Sequence, residues 1–291
     1  MVRMLAKQWR INAGVAYARF VFLGAILLLS SGCSALLFHP ERQYAPNPVA
    51  ERFSPQDVYF PSGDGETLHG WYFEAKNPKA TVLVFHGNAS NISTHVNSVL
   101  WLAQAGFNLF AIDYRGFGRS GGEPDLAGVH RDGLAAFNHL LSLPGVGTSQ
   151  IAILGQSLGG SIATYVAATA PDRKRVSLLL LDSSFFSYQQ IAREKLANVF
   201  ITWPFQYPLS WLFNNDYSPG RWIVQVSSPV VIIHDRSDKV VPFHHGEQLY
   251  AVAREPKVIL PTSGLGHIGS FADAAIRKKV AGLIAGSLPD K

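Results

Sequence analysis

A serine between two glycines is the first group in this sequence with the type and spacing for chemistry. Ser157 is the centre of the Gly-x-Ser-x-Gly segment 155–159, which follows the apolar run 151–154 and precedes small residues at 161–170. The apolar run predicts a buried strand, and the small residues predict a helix. A strand, a sharp turn and a helix form the context in which a serine hydroxyl is exposed as a nucleophile.

The rest of the sequence alternates between strand-like and helix-like patterns. Two antiparallel strands are predicted at 58–60 and 68–73, buried strands at 81–85, 107–112, 176–181, 230–233 and 257–260, and helices up to about 105, at 126–143, after Pro242 and at 274–285. This alternation predicts an α/β fold with a mostly parallel sheet covered by helices on both faces. Active groups of such sheets gather at the carboxyl ends of the strands.

Three segments resemble the α/β-hydrolase superfamily. They are His-Gly-Asn at 86–88, Asp-Tyr-Arg-Gly-Phe-Gly-Arg-Ser at 113–120 and Gly-Gln-Ser-Leu-Gly-Gly at 155–160. The resemblance covers roughly 56–291. It is to the branch of serine aminopeptidase-like hydrolases, bacterial esterases and eukaryotic membrane-bound lysophospholipases and depalmitoylases. The motif set is specific for the superfamily and weak for the substrate.

A serine hydroxyl needs a base to accept its proton, and the base needs an acid to orient it. His267 lies after the last predicted strand, on a glycine-containing segment, and is the predicted base. The penultimate strand is followed by both Asp235 and Asp238. The resembled family has a His-Gly-x-x-Asp-x-x-Val-Pro pattern there, which implies that Asp238 is the acid. Asp182, at the end of the preceding strand, is the alternative acid.

The oxyanion of an acyl-transfer reaction is stabilised by two backbone N–H groups. Leu158 follows the nucleophile and supplies the first of them. The loop after the 81–85 strand is expected to supply the second, from Asn88. His86 is expected to shape that loop rather than act as a second base.

Four other titratable residues are expected to have no chemical role. Asp113 and Arg115 belong to a glycine-rich segment and are predicted to form a hydrogen-bonded turn beside the site. His244 and His245 stand at a predicted helix start and are expected to face solvent.

The first part of the chain has the pattern of a secretion signal. Residues 1–19 are basic without an acid, residues 20–29 are apolar, and Cys33 follows small residues. This order resembles a bacterial lipobox, although Ser30 stands where a leucine is usual. Two interpretations remain, lipidation at Cys33 and an uncleaved signal anchor. Both place the protein in the cell envelope, membrane-anchored outside the cytoplasm. The predicted division is 1–32 signal peptide or anchor, 33–55 tether and 56–291 hydrolase domain.

Composition argues against nucleic-acid and metal chemistry. The formal charge is +5, but four of the 25 basic residues precede residue 33, which leaves 21 against 20 acidic residues. A near-neutral domain is a poor partner for a polyanion. One cysteine and the absence of a His-Glu-x-x-His pattern disfavour a metal site. No metal and no cofactor are therefore expected.

The segment 185–222 is too long for an ordinary connection between strands and contains eleven aromatic residues. The resemblance implies a small helical cap over the site. Aromatic residues there favour a hydrophobic acyl substrate, but packing of the cap onto the domain and a membrane-facing patch are alternatives. The expected function is hydrolysis of an ester or thioester. A serine peptidase or amidase and a non-catalytic binding protein on a hydrolase fold are the other hypotheses.

Overall fold

An eight-stranded sheet forms the centre of the fold in the computed structural model, which describes residues 37–143, 145–146 and 150–286. In chain order the strands are β1 (His39–Pro40), β2 (Gln56–Pro61), β3 (Thr67–Phe73), β4 (Thr81–Phe85), β5 (Ala89–Ser90), β6 (Asn108–Asp113), β7 (Ile151–Gln156), β8 (Val176–Asp182), β9 (Val230–Asp235) and β10 (Lys257–Thr262). The short strands β1 and β5 pair with each other outside the main sheet.

The main sheet has the order β10-β9-β8-β7-β4-β6-β3-β2. Strands β2 and β3 form an antiparallel pair, β3 is antiparallel to β6, and all other neighbours are parallel. Strands β4, β6, β7 and β9 are buried along their whole length, as expected of parallel strands covered on both faces. The predicted α/β architecture is confirmed.

Helices cover the sheet and connect its strands. They are α1 (Pro48–Glu51), α2 (Ile92–His95), α3 (Leu100–Gln104), α4 (Leu126–Ser142), α5 (Leu158–Thr169), α6 (Tyr188–Ala197), α7 (Gln206–Ser210), α8 (Pro219–Trp222), α9 (His244–Val252) and α10 (Ala274–Ile284), with 3₁₀ turns at Val96–Ser98, Arg173–Arg175, Trp203–Phe205, Ile223–Gln225 and Ser270–Ala272. The helix predicted to end near 105 is divided into α2, a 3₁₀ turn and α3. Among the described residues, none of these helices combines the length and the apolar character needed to cross a bilayer.

The segment 39–44 is attached to the domain by backbone pairing, and we call it the strap. The His39 N–H donates to the Asn88 carbonyl at 2.9 Å, and the Glu41 N–H donates to the Ser90 carbonyl at 3.1 Å. The side-chain amide of Asn91 donates to the carbonyls of Glu41 and Gln43, both at 2.9 Å. The middle part of the predicted tether is thus hydrogen-bonded to the loop after β4. The predicted signal segment 1–32 and Cys33 lie outside the described residues.

The insertion 185–222 follows β8 and therefore begins at the carboxyl edge of the sheet. It contains α6, α7, α8 and one 3₁₀ turn. At its base, the Tyr217 ring stacks on His130 with centroids 4.3 Å apart, and the Ser161 hydroxyl donates to the Tyr217 carbonyl at 2.6 Å. These contacts fasten the base of the insertion to α4 and α5. Packing therefore accounts for the aromatic residues at the base.

Candidate active site

Ser157 lies in a sharp turn between β7 and α5, at the carboxyl edge of the sheet. Its backbone has φ 54° and ψ −116°, a conformation that side-chain-bearing residues rarely adopt and that marks strain. A Cβ built on Gly155 would lie 2.3 Å from the Gly159 carbonyl oxygen, and one built on Gly159 would lie 2.0 Å from the Phe85 carbonyl oxygen. Both positions therefore require glycine.

His267 and Asp238, which stand 29 residues apart in sequence, meet on neighbouring loops. The His267 Nδ1 lies 2.7 Å from Asp238 Oδ2. Because a carboxylate only accepts, Nδ1 carries the hydrogen, which leaves Nε2 of the neutral ring free to accept a proton. The second oxygen of Asp238 accepts the N–H groups of Val240 and Val241 at 2.8 and 2.9 Å. The carboxylate is thus held from both sides.

Burial by itself raises the pKa of Asp238. The hydrogen bond from His267, the charge of that ring and the two backbone N–H groups lower it, so that the pKa lies below its ordinary value. The Asp238 side chain is fully buried, while His267 is slightly exposed. An ionised, buried carboxylate beside Nδ1 stabilises a positive charge on the imidazole when its other nitrogen is protonated.

Asp235 has a different role from Asp238. Its carboxylate accepts hydrogen bonds from the N–H and hydroxyl of Ser237, the hydroxyl of Thr262 and the N–H of Leu265. Burial raises the pKa of Asp235, but these donors lower it well below its usual range. Asp235 thereby joins the loops after β9 and β10, the second of which carries His267.

Asp182 is buried behind the elbow. Burial raises its pKa to about 6, against the opposing hydrogen bond from the Gln156 side chain at 2.9 Å. Its backbone carbonyl accepts the Ser157 N–H at 2.9 Å. The carboxyl group of Asp182 is therefore hydrogen-bonded to Gln156, and the imidazole of His267 is hydrogen-bonded to Asp238.

The loops that carry Ser157 and His267 converge at Gly87. A Cβ built on Gly87 would lie 3.6 Å from Ile268 Cδ1 and 3.7 Å from Ser157 Cβ. Ile268 also has a positive φ of 58°, and its N–H donates to the Ser183 hydroxyl at 3.1 Å. Ser183, which sequence analysis missed, anchors the residue after His267. Its position at the end of β8 was the available signal.

The predicted oxyanion donors lie on the two segments that flank Ser157. Leu158 is the first residue of α5, where backbone N–H groups lack helical acceptors. Asn88 lies on the loop after β4, and the strap holds its carbonyl. His95, also missed by sequence analysis, supports this loop, because its Nε2 bonds the Ala89 carbonyl at 2.7 Å. Burial lowers the pKa of His95 to about 4, so the ring is neutral at neutral pH.

The expected turn spans Arg115, where the Phe117 N–H donates to the Tyr114 carbonyl at 3.0 Å, while Asp113 is the last residue of β6. His86 is buried, stacks on His95 with centroids 5.1 Å apart, and shapes the loop after β4. Asp113 is buried and accepts the Ile92 N–H at 2.8 Å and the Tyr44 hydroxyl of the strap. Arg115 forms short ion pairs with buried and half-buried carboxylates.

Within the part of the chain that the structure describes, one cluster has the composition of a metal site, formed by Glu194 of α6 with His244 and His245 of α9. The two Nε2 atoms each lie 3.0 Å from an oxygen of Glu194. The expectation that both histidines face solvent is wrong for His245, which is buried. The Phe186 N–H donates to His245 Nδ1 at 3.1 Å, so Nε2 carries the hydrogen and donates to Glu194. A cation at Nε2 would have to displace that hydrogen, and the donor set therefore fits a hydrogen-bonded link better than a metal.

Comparison with known proteins establishes the family. A family model described as serine aminopeptidase, S33, matches residues 76–217. Protein YfhR of Escherichia coli (strain K12) is 33% identical over 266 residues, which cover 89% of this chain and 88% of that protein. The chain belongs to the α/β-hydrolase superfamily. The resemblance inferred from the three sequence segments is confirmed, and family and fold together identify a hydrolase.

Other α/β-hydrolases resemble the chain over most of its length. The α/β hydrolase domain-containing protein WAV2 of Arabidopsis thaliana is 28% identical over 256 residues, 81% of each chain. The esterase Pf2001 of Pyrococcus furiosus superposes with a TM-score of 0.67 at 20% identity, covering 86% of this chain and 98% of that one. At that identity the structural likeness shows the α/β-hydrolase fold, and the substrate has to be argued from this chain's own residues.

Proposed function

We propose that the protein is a membrane-tethered serine hydrolase that cleaves carboxylic esters or thioesters of hydrophobic acyl groups. The observation that supports it most is the 2.7 Å contact between His267 Nδ1 and Asp238 Oδ2 on the loops beside the strained elbow of Ser157. Ser157 is the proposed nucleophile, His267 the base and Asp238 the acid.

In the proposed reaction, Nε2 of His267 takes the hydroxyl proton as Ser157 Oγ attacks the carbonyl carbon. The Asp238 carboxylate stabilises the resulting imidazolium. That proton then passes to the leaving alcohol or thiol, and an acyl-enzyme on Ser157 remains. Water then attacks the carbonyl carbon of the acyl-enzyme while Nε2 of His267 takes its proton. That proton passes to Ser157 Oγ as the ester bond breaks, and the carboxylic acid product is released.

The backbone N–H groups of Leu158 and Asn88 are the proposed oxyanion donors. Leu158 is suited to this role because it begins α5, where the helix dipole also favours negative charge. Asn88 is suited because the convergence of loops at Gly87 brings the loop after β4 beside Ser157. Removal of one such donor costs roughly a hundredfold to a thousandfold in turnover.

The charges of the cap favour an ester over a peptide with a free amino terminus. Such a peptide carries an ammonium group, which calls for an available carboxylate. The segment 185–222 has two acidic residues, Glu194 and Asp216. Glu194 is bonded to two histidines, and Asp216 is paired with Arg221 at 2.7 Å. Neither carboxylate is therefore available to the ammonium group of a peptide.

Two assays test this function. A fluorophosphonate probe should label the protein at Ser157, and Ser157→Ala should abolish labelling and lower turnover by about 10⁶-fold. Hydrolysis of p-nitrophenyl esters of increasing acyl length should exceed that of aminoacyl p-nitroanilides. Absence of labelling would favour a binding protein, and faster cleavage of the anilides would favour a peptidase.

We also propose that residues 1–33 attach the protein to a membrane of the cell envelope, outside the cytoplasm. The basic, apolar and small residues before Cys33 support this assignment. Lipidation predicts a mature chain that begins at Cys33 and a mass that changes in Cys33→Ala. An unprocessed chain that stays in the membrane fraction in both proteins would instead identify a signal anchor.

A further inference from the structure

The outer part of the insertion, residues 199–212, exposes a dense group of apolar side chains, and we call it the cap tip. Eight of its large apolar or aromatic residues are exposed, against six in all the other described residues. Phe200 is 92% exposed, Ile201 79% and Trp211 71%. Contiguous exposed apolar surface of this kind marks an interaction site. Neither core packing nor contact with a substrate pocket accounts for side chains that face solvent.

The chemistry of the cap tip indicates the partner. Residues 196–215 contain no charged side chain, and Trp203, Tyr207 and Trp211 lie among aliphatic residues. Indole and phenol rings with aliphatic neighbours are typical of the boundary between lipid headgroups and acyl chains. A protein interface usually depends on a few anchor residues that enter a groove, whereas here nine of the fourteen residues 199–212 are aromatic or aliphatic.

The charges beside the cap tip add a second observation. The Arg193 guanidinium lies 5.3 Å from the centre of the Tyr207 ring, and Lys195 Nζ lies 3.4 Å from the Lys239 carbonyl. Within the described part of the chain, none of Arg193, Lys195 and Lys239 forms an ion pair with an acidic side chain. Basic residues that flank an aromatic apolar surface fit anionic headgroups. Lysine is depleted in protein interfaces, which disfavours a protein partner.

We infer that the cap tip docks on the surface of a membrane that contains anionic phospholipid, with Phe200, Ile201 and Trp211 entering the headgroup boundary. The insertion leaves the sheet at the same edge as Ser157, so this contact turns that edge toward the membrane. The contact is separate from the attachment by residues 1–33. It does not depend on the proposed chemistry of Ser157.

Quenching by brominated phospholipid tests the contact on the full chain. Every protein carries Trp9→Phe, so that the N-terminal segment contributes no tryptophan signal. In vesicles of phosphatidylcholine and phosphatidylglycerol in equal parts, brominated acyl chains should quench the emission. Trp203→Phe combined with Trp211→Phe should remove that quenching, whereas Trp71→Phe should leave it. Quenching that persists without Trp203 and Trp211 would overturn the inference.

A second pair of variants tests the energetics. Phe200→Ser with Ile201→Ser should weaken the lipid contact at least about tenfold, because two exposed apolar side chains lose their burial. Val49→Ser with Tyr59→Ser removes two exposed apolar residues elsewhere and should have no effect. Vesicles of phosphatidylcholine alone should quench less, and equal quenching there would refute the anionic preference.

Two further outcomes separate this inference from others. Fluorophosphonate labelling should be unchanged in the Phe200 and Ile201 variant, which shows that the domain is folded and that a failure of Ser157 chemistry is a different result. Light scattering in detergent should give the same mass for this variant and the parent. A dimer that the variant converts to a monomer would assign the cap tip to a second copy of the chain and overturn the membrane docking.

Discussion

Replacement of Asp238 by asparagine is the most informative single change, because the structure dictates how the new side chain must sit. The N–H groups of Val240 and Val241 both donate to Oδ1 of Asp238. In Asp238→Asn the amide oxygen must take that place, since an amide NH₂ there would face two donors. The NH₂ group then points at His267 Nδ1 from the position of Oδ2.

An NH₂ group at that position donates to Nδ1, so Nδ1 must give up its hydrogen. The hydrogen of the neutral ring moves to Nε2, which then cannot accept the proton of Ser157. A tautomer reversed in this way costs about 10⁴-fold in turnover, or about 5.5 kcal/mol in the activation barrier. Folding should be little affected, because the amide oxygen of the new side chain still accepts both backbone hydrogen bonds.

The assay is the rate of p-nitrophenyl ester hydrolysis with the rate of fluorophosphonate labelling, and Asp182→Asn is the matched control. Asp182 accepts from Gln156 at 2.9 Å, and an amide oxygen can do the same, so this variant should lose less than about tenfold. A loss of a thousandfold or more in Asp182→Asn, together with a small loss in Asp238→Asn, would refute the assignment and make Asp182 the acid.

Three further predictions concern stability, each measured by urea unfolding. Gly159→Ala places a Cβ 2.0 Å from a main-chain oxygen of β4 and should cost about 3 kcal/mol or more, whereas Gly63→Ala, with nothing within 4 Å, should change stability by less than about 0.5 kcal/mol; equal effects would contradict the packing. Arg115→Met leaves the buried carboxylate of Asp132 without the guanidinium at 2.7 Å and should cost about 3–5 kcal/mol. Adding Asp132→Leu to this variant should recover part of the loss, and no recovery would show that the two residues are not coupled. Burial lowers the pKa of His130 to about 3, so between about pH 6.5 and 3 the unfolded state binds a proton that the folded state does not. The free energy of unfolding should therefore decrease by about 1.4 kcal/mol for each unit by which the pH is lowered in that window. An unchanged pH dependence in His130→Phe would contradict this prediction.

The sheet could be predicted from sequence because its signals are local. The strands β4, β6, β7 and β9 are apolar on both faces, and the structure places them within two residues of the predicted bounds. The elbow could be predicted because the close crossing of the strand and the helix leaves no room for a side chain at 155 and 159, so both positions are glycine. In each case the residues that carry the signal are also the residues that form the element.

Other features depend on contacts between distant segments. Asp235, the last residue of β9, and Asp238 are both buried. The family pattern implied Asp238, and the loop after β10 shows the physical difference: His267 bonds to Asp238, whereas the Leu265 N–H donates to Asp235. The burial of His245 depends on Glu194 and Phe186 from the insertion. The cap tip was aromatic in sequence, but residue type alone does not tell whether an aromatic ring packs inward or faces solvent.

The strap shows why the oxyanion site is the part least accessible to sequence analysis. An oxyanion donor is a backbone N–H, so its function depends on where the loop lies and little on which side chain stands there. The loop after β4 is held by partners about fifty residues earlier in the chain, through the bonds from His39 to the Asn88 carbonyl and from Asn91 to Glu41 and Gln43. The position of the loop that carries Asn88 therefore depends on hydrogen bonds to the strap, which no pattern within the loop's own sequence reveals.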